Sequence, residues 1–280
     1  MLKEIKLERS PLLEGPHEKA TTYPHPCRRA DAGVLHPRQQ LCPCRTGCHA
    51  HHPARQVVLG LVGQMQAAVG DGQPQEFRLC VGDGFASLLE PDPEALAVFE
   101  AFAPYGVVRG RVPTPTRRLD DIAEITHLDY LKIDIQGGEL SVFENGPQKL
   151  SAAVALQTEV SFMKLYHHQP SQGEVDVYLR SLGFVPHMFA AIKKWPIAPA
   201  RYQDDPHRPF NQLLEADLVY VRDFTKPDAM SDTQLKHLAL IAHMAYQSFD
   251  LAVRCIHQLQ QRGSLPSGAL DHYLSKASKA

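Results

Sequence analysis

Short apolar runs of strand length, EFRLCV, YLKIDI, AVALQTEV and ADLVYV, punctuate the chain from Ala67 to about Phe224 and alternate with stretches of helical period and turn residues. Such alternation predicts βαβ units around a mainly parallel sheet. YLKIDI and AVALQTEV are apolar almost throughout rather than at every second position, which is the pattern of strands covered on both faces. The expected core is a three-layer α/β sandwich with YLKIDI as a central strand and ADLVYV as an antiparallel partner near one edge. After the breaker TKPDAM, Leu235, Leu238, Ala239, Ala242, Ala245, Phe249, Ala252, Val253 and Ile256 recur at helical spacing. That predicts one long helix or a helical pair, packed on the sheet or on a second subunit. Ser231 followed by Gln234 forms the signature of a capping box at its start.

Residues 1–66 lack this regularity. They hold four of the six cysteines and six of the fifteen histidines, many prolines and arginines, and almost no sustained apolar period. With few periodic apolar positions to offset the entropy of ordering, this segment is expected to pack poorly. The domain organisation read from the chain is an atypical segment 1–66, an α/β domain 67–225 and a helical extension 226–280. Within the first segment, CPCRTGCHAHH carries donor types that suit zinc. The ligands crowd one short stretch without a second pair at a useful distance, so no metal site is expected.

Composition narrows the function classes. The 280 residues are 44% hydrophobic and 21% charged, with a formal net charge of −2. That balance is typical of a globular protein. It gives no broad attraction for nucleic acid or anionic membrane, which favours a small-molecule partner. No apolar run approaches the roughly 18 residues of a membrane span, and the opening MLKEIKLERSPLLEG lacks the pattern of a signal peptide, so a cytoplasmic location is expected. Oligomeric state is not legible.

The stretch LDYLKIDIQGGEL, Leu128 to Leu140, carries the chemistry. An apolar strand that closes on Asp134 and breaks on Gly137 and Gly138 sets a carboxylate at the carboxyl edge of a sheet, where ligands of open α/β folds bind. An acid inside such a run costs free energy unless it is partnered or open to solvent. Glu139 opens the following helix, a position the helix dipole favours for an acid. Each has a plainer role available: Asp134 as a turn cap beside glycine, Glu139 as a helix start, and Glu159 as a strand-end acid facing solvent. His167 and His168 in YHHQPSQG read as solvated loop residues. The two VGDG units read as turns flanking EFRLC, KKWPIAP reads as a surface loop, and Cys80 and Cys255 as buried small hydrophobes.

Several segments in order, AAVGDG, SLLEPD, VPTPTRRLDDI, YLKIDIQGGELSVFENG, LQTEV and ADLVYVRD, resemble the FkbM-type family of S-adenosylmethionine-dependent methyltransferases, from about Ala67 onward. The Leu119–Asp120 pair followed by Lys132, Asp134, Gly137 and Glu139 is the most specific part. The resemblance implies a Rossmann-like three-layer sandwich of the class I methyltransferase type with a C-terminal helical extension. It also implies S-adenosylmethionine as cofactor, and methyl transfer to a hydroxyl of a sugar or related metabolite, so that a carbohydrate is among the candidate partners. On that reading Asp134 and Gly137 contact the cofactor, and Asp134 and Glu139 serve the chemistry, with Glu159 a further acid.

Such folds hold the cofactor mostly through an Asp-x-Gly-x-x-x-Gly turn after the first strand, and no such turn is present. The nearest text is VVLGLVG, Val57 to Gly63, with Gly60 and Gly63. Pro26 to Gln66 reads either as an out-of-frame translation of a GC-rich message or as a divergent first half. Two function classes follow: a methyltransferase, and a truncated or degenerate homologue acting as an interaction module. Loss of several hydrogen bonds at about 1–3 kcal/mol each predicts weak binding of S-adenosylmethionine.

Overall fold

The computed structural model describes residues 67–277. The expectations placed on residues 1–66, including poor packing, the CPCRTGCHAHH segment and VVLGLVG, lie outside the described residues.

The described chain begins with a small sheet. Strands β1 (Ala68–Val69), β2 (Pro74–Cys80) and β3 (Val108–Arg117) lie in the order β1-β3-β2, with β1 parallel and β2 antiparallel to β3. The two VGDG units flank β2 as turns, the second leading into a 3-10 turn at Asp83–Phe85. Helix α1 (Pro93–Val98) starts with proline in its first turn, and the side chain of Asp92 accepts the backbone N–H groups of Glu94 and Ala95. Proline suits that position because it has no N–H to satisfy.

The larger sheet follows. In chain order it comprises β4 (Tyr130–Ile133), helices α2 (Glu139–Glu144) and α3 (Pro147–Ala152), β5 (Ala155–Ser161), helix α4 (Gln172–Ser181), β6 (Phe184–Lys194) and β7 (Leu213–Arg222). The strands pair in the order β4-β5-β7-β6. β4 and β5 are parallel, while β7 runs antiparallel to both β5 and β6. The antiparallel placement of ADLVYV is as expected. For YLKIDI, β5 is the partner of β4 among the described residues, and whether residues 1–66 place a strand on its other edge lies outside them. A continuous apolar run reports helices over both faces and carries no information about neighbours on both edges.

Those faces are covered. Leu131, Ile133, Leu156, Leu218 and Tyr220 pack with Val142 and Phe143 of α2, Leu150 of α3, and Val175 and Leu179 of α4. On the other face Ala155, Val219 and Val221 meet Leu235, Leu238 and Ile241 of α5 (Asp232–Met244) and Ala252, Cys255 and Leu259 of α6 (Phe249–Gln261). Successive β5 residues thus serve opposite cores, as the strand period of two requires. Each fully buried leucine of this kind contributes about 1.5–3 kcal/mol.

The C-terminal segment forms three helices, α5, α6 and α7 (Ala269–Ala277), rather than one helix or a pair. The expected capping box is present at α5, with Ser231 and Gln234 satisfying each other's backbone N–H. The chain leaves α5 through Gln247 at φ 52°, and the Ser248 N–H bonds the Ala242 carbonyl at 2.8 Å. That left-handed residue prevents a continuous helix. Cys80 and Cys255 are buried free thiols, as expected. KKWPIAP departs from its surface-loop reading: Lys193 and Lys194 end β6, and Trp195 is buried, stacked on Phe102 with ring centroids 4.1 Å apart. A third cluster of Leu96, Phe99, Phe102, Leu165, Tyr166 and Leu214 receives the indole. Among the described residues no helix is long and apolar enough to cross a membrane.

Arg222 ends β7 and closes the helical layer. Its guanidinium donates to the carbonyls of Ala153 at 2.7 Å, Ser151 at 2.9 Å, Leu150 and Leu182, and lies 4.1 Å from the centroid of the Phe184 ring. It satisfies carbonyls that α3 leaves open at its C-terminus. Arg222→Ala is expected to lower unfolding free energy by about 3 kcal/mol in urea titrations, because buried acceptors lose a charged donor. Arg222→Lys should recover only part, since an ammonium cannot span the same fork.

Candidate active site

The turn after β4 brings three carboxylates together. Oxygens of Asp134, Glu139 and Glu159 lie within 4.8 Å of one another, with Asp134 exposed and the two glutamates buried. Asp134 follows the last residue of β4, and Glu159 sits on the neighbouring strand β5, one position beyond the Ile133–Thr158 pair. Parallel pairing alone sets them side by side at the same sheet end. Glu159 therefore differs from its solvent-facing reading: it is 5% exposed.

Glu139 opens α2, and its carboxylate accepts the backbone N–H of Ile135 at 2.8 Å. Burial drives its pKa up to about 7 against the lowering effect of the backbone donors, with a smaller push from Asp134. Glu159 is likewise shifted well upward, chiefly by burial and then by Glu215 and Asp134, with Lys193 opposing. The Lys193 ammonium donates to Glu159 at 3.2 Å and to Glu215. One lysine thus serves two acids.

Gln136 joins the pieces. Held at φ 57°, it sends its side-chain N–H₂ to Asp134 at 2.8 Å and to Glu159 at 3.0 Å. An amide donor at this position relieves repulsion that a fourth carboxylate would aggravate. Its own carbonyl accepts the Ser87 hydroxyl at 2.7 Å, which ties the turn to SLLEPD of the preceding segment. Gly137 follows at φ 102°, and a Cβ there would come within 2.9 Å of Leu89 Cδ1 and 3.2 Å of Gln169 Cγ. The space beside Gly137 is filled by these side chains.

Gln169 is buried and hydrogen-bonded at both ends of its amide. Its carbonyl oxygen accepts the N–H of Leu165 at 2.6 Å, and its amide donates to the Ser161 hydroxyl at 2.7 Å. Neither Ser87 nor Gln169 stood out in the sequence. Their signal is a polar residue inside apolar context, which one chain does not separate from an ordinary loop position. His167 is half-exposed, 3.7 Å from Asp92, and apart from the acid cluster's hydrogen bonds. At the same sheet end, where β5 finishes and β7 begins, a cleft of about 560 Å³ is lined by Phe162, Trp195, Ile197, Phe210, Gln212 and Leu213.

The described part is an α/β protein with an acid-rich site at the carboxyl end of adjacent parallel strands. Residues 45–186 match the family model of the methyltransferase FkbM domain, half of the chain, and the chain belongs to that family. The match begins upstream of Ala67 and includes Val57 to Gly63. No curated protein and no solved structure gives a significant match.

Two outcomes test this geometry. Gly137→Ala combines positive φ with a clash and should destabilise the fold by about 1–3 kcal/mol in thermal or urea unfolding. For Glu139, the folded pKa near 7 stands above the ordinary 4.5, so the folded state holds a proton that the unfolded chain has released. Stability is then full below about pH 4.5 and falls as pH rises to about 7, by about 3 kcal/mol from this group. Glu139→Gln should remove most of that fall in urea titrations across the pH range, leaving the part due to Glu159.

Proposed function

We propose that the chain is an S-adenosylmethionine-dependent methyltransferase that methylates a hydroxyl of a sugar or related metabolite. On this reading the four-stranded sheet is one half of a Rossmann-like three-layer sandwich. The observation that carries it is the exposed Asp134 beside two buried, proton-retaining glutamates at the carboxyl edge of parallel strands, in a chain of a methyltransferase family.

S-adenosylmethionine supplies an electrophilic methyl group on a sulfonium. The exposed carboxylate of Asp134 is the group there that suits such a cation. The described residues supply part of such a site, and Asp134 and Gly137 remain its candidate contacts. The extent of the family match supports Val57 to Gly63 as the text of the missing cofactor turn.

Within this chain the acids divide the work. Asp134 is exposed and oriented by Gln136, which suits it to hold an acceptor hydroxyl and take its proton as methyl transfer proceeds. Glu139, wholly buried and bonded to Ile135, positions the turn and stabilises α2. Glu159, linked to Asp134 through Gln136, helps fix the orientation of the amide that holds Asp134. The apolar and aromatic cleft beside Phe162 and Phe210 suits the ring face of a carbohydrate or a comparable small molecule.

A second reading, a non-catalytic homologue serving as an interaction module, is favoured by the absence of an Asp-x-Gly-x-x-x-Gly turn from the sequence. Calorimetry with S-adenosylmethionine separates the two. The enzyme reading expects micromolar binding, and release of S-adenosylhomocysteine over a panel of sugars and hydroxylated metabolites. Asp134→Ala should cut that release at least about 100-fold while circular dichroism and melting stay unchanged. Binding weaker than millimolar would favour the non-catalytic homologue.

A further inference from the structure

A second cluster of ligating side chains lies at the opposite end of the same strand. Asp134 follows the C-terminus of β4, whereas His127 and Asp129 precede its N-terminus, and His237 reaches them from α5. One nitrogen from each histidine and one oxygen of Asp129 lie within 4.8 Å of one another. Both rings converge on one atom: His127 Nε2 is 2.9 Å and His237 Nδ1 2.6 Å from Asp129 Oδ1.

The backbone explains the convergence. His127 and Asp129 flank Leu128, which is buried in the core, so they stand two residues apart just ahead of β4. The Asp129 carbonyl accepts the N–H of Val154 at 2.8 Å, which fixes the segment against the entry to β5. On α5 the core positions are Leu235, Leu238, Ile241 and Ala242, and His237 flanks that stripe, 18% exposed at its side chain. Asp129 is 25% and His127 58% exposed, so the group is half-sheltered and reachable from solvent.

We propose that His127, Asp129 and His237 form a zinc site that clamps α5 to the entry of β4. Two imidazoles and one carboxylate are a borderline nitrogen and oxygen donor set, and three protein ligands leave a fourth tetrahedral position for water. The rings are edge-on at 6.4 Å between centroids, and His127, on an exposed segment, has freedom to swing toward a shared ion. Lying at the far end of β4 from Asp134, the ion acts on the packing of the C-terminal helices and takes no part in methyl transfer. The site stands whether or not the chain is an enzyme.

The test is calorimetry and melting of the full chain, stripped with chelator and then titrated with zinc chloride, for wild type, His127→Ala and Asp129→Asn. The cysteines and histidines upstream of residue 67 are the same in all three proteins, so the readout is the difference between them. The expected result is that each variant loses one equivalent or binds it at least about tenfold more weakly, and loses most of the zinc-induced rise in melting temperature. His127→Ala changes an exposed side chain and should fold normally. Equal stoichiometry and an equal melting shift in wild type and both variants would overturn the proposal and leave a hydrogen-bonded triad without metal.

Discussion

Everything at the carboxyl end of the large sheet hangs on one buried interaction, the Glu139 carboxyl group receiving the Ile135 N–H. It closes the turn between β4 and α2 across four residues, and it buries an acid to do so. With that turn closed, Gln136 is held in the left-handed region and Gly137 in a conformation that few other residues adopt. Gln136 can then reach Asp134 and Glu159 together, and its carbonyl can accept from Ser87. The small-sheet segment carrying Ser87 and Leu89 therefore docks onto the large sheet through this turn.

The electrostatic consequence runs the same way. Burial raises the proton affinity of Glu139 and Glu159, and proximity makes each carboxylate less tolerant of its neighbours' charge. Lys193 relieves Glu159 and Glu215 from the adjacent strands, and Asp134 alone is left facing solvent. Under the proposed function, this exposed acid beside two buried ones is the group that would take the proton of a bound hydroxyl.

Much of this was legible in the residues and some was not. The α/β class, the reversed ADLVYV strand, the Ser231 capping box and the buried cysteines followed from period and local chemistry. The neighbours of β4 are less legible, because edge pairing leaves no mark on a strand whose faces are both covered. Trp195 and Glu159 were placed outside because a lysine pair and a lone acid usually mark surface, and their partners Phe102 and Lys193 are distant in sequence. Within the site, Asp134 and Glu139 stood out by their place at a strand end and a helix start. Ser87, Gln136 and Gln169 act through tertiary hydrogen bonds that no local pattern encodes.

The most direct test of the central interaction is amide hydrogen exchange at Ile135, followed by NMR. Ile135 lies beyond the last residue of β4, outside the paired register of the sheet. If the buried Glu139 carboxyl group holds its N–H, the Ile135 amide exchanges as slowly as the amides of β4 itself, and Glu139→Ala releases it to loop-like rates. Rapid exchange at Ile135 in the unmodified chain, alongside a protected β4, would contradict the account.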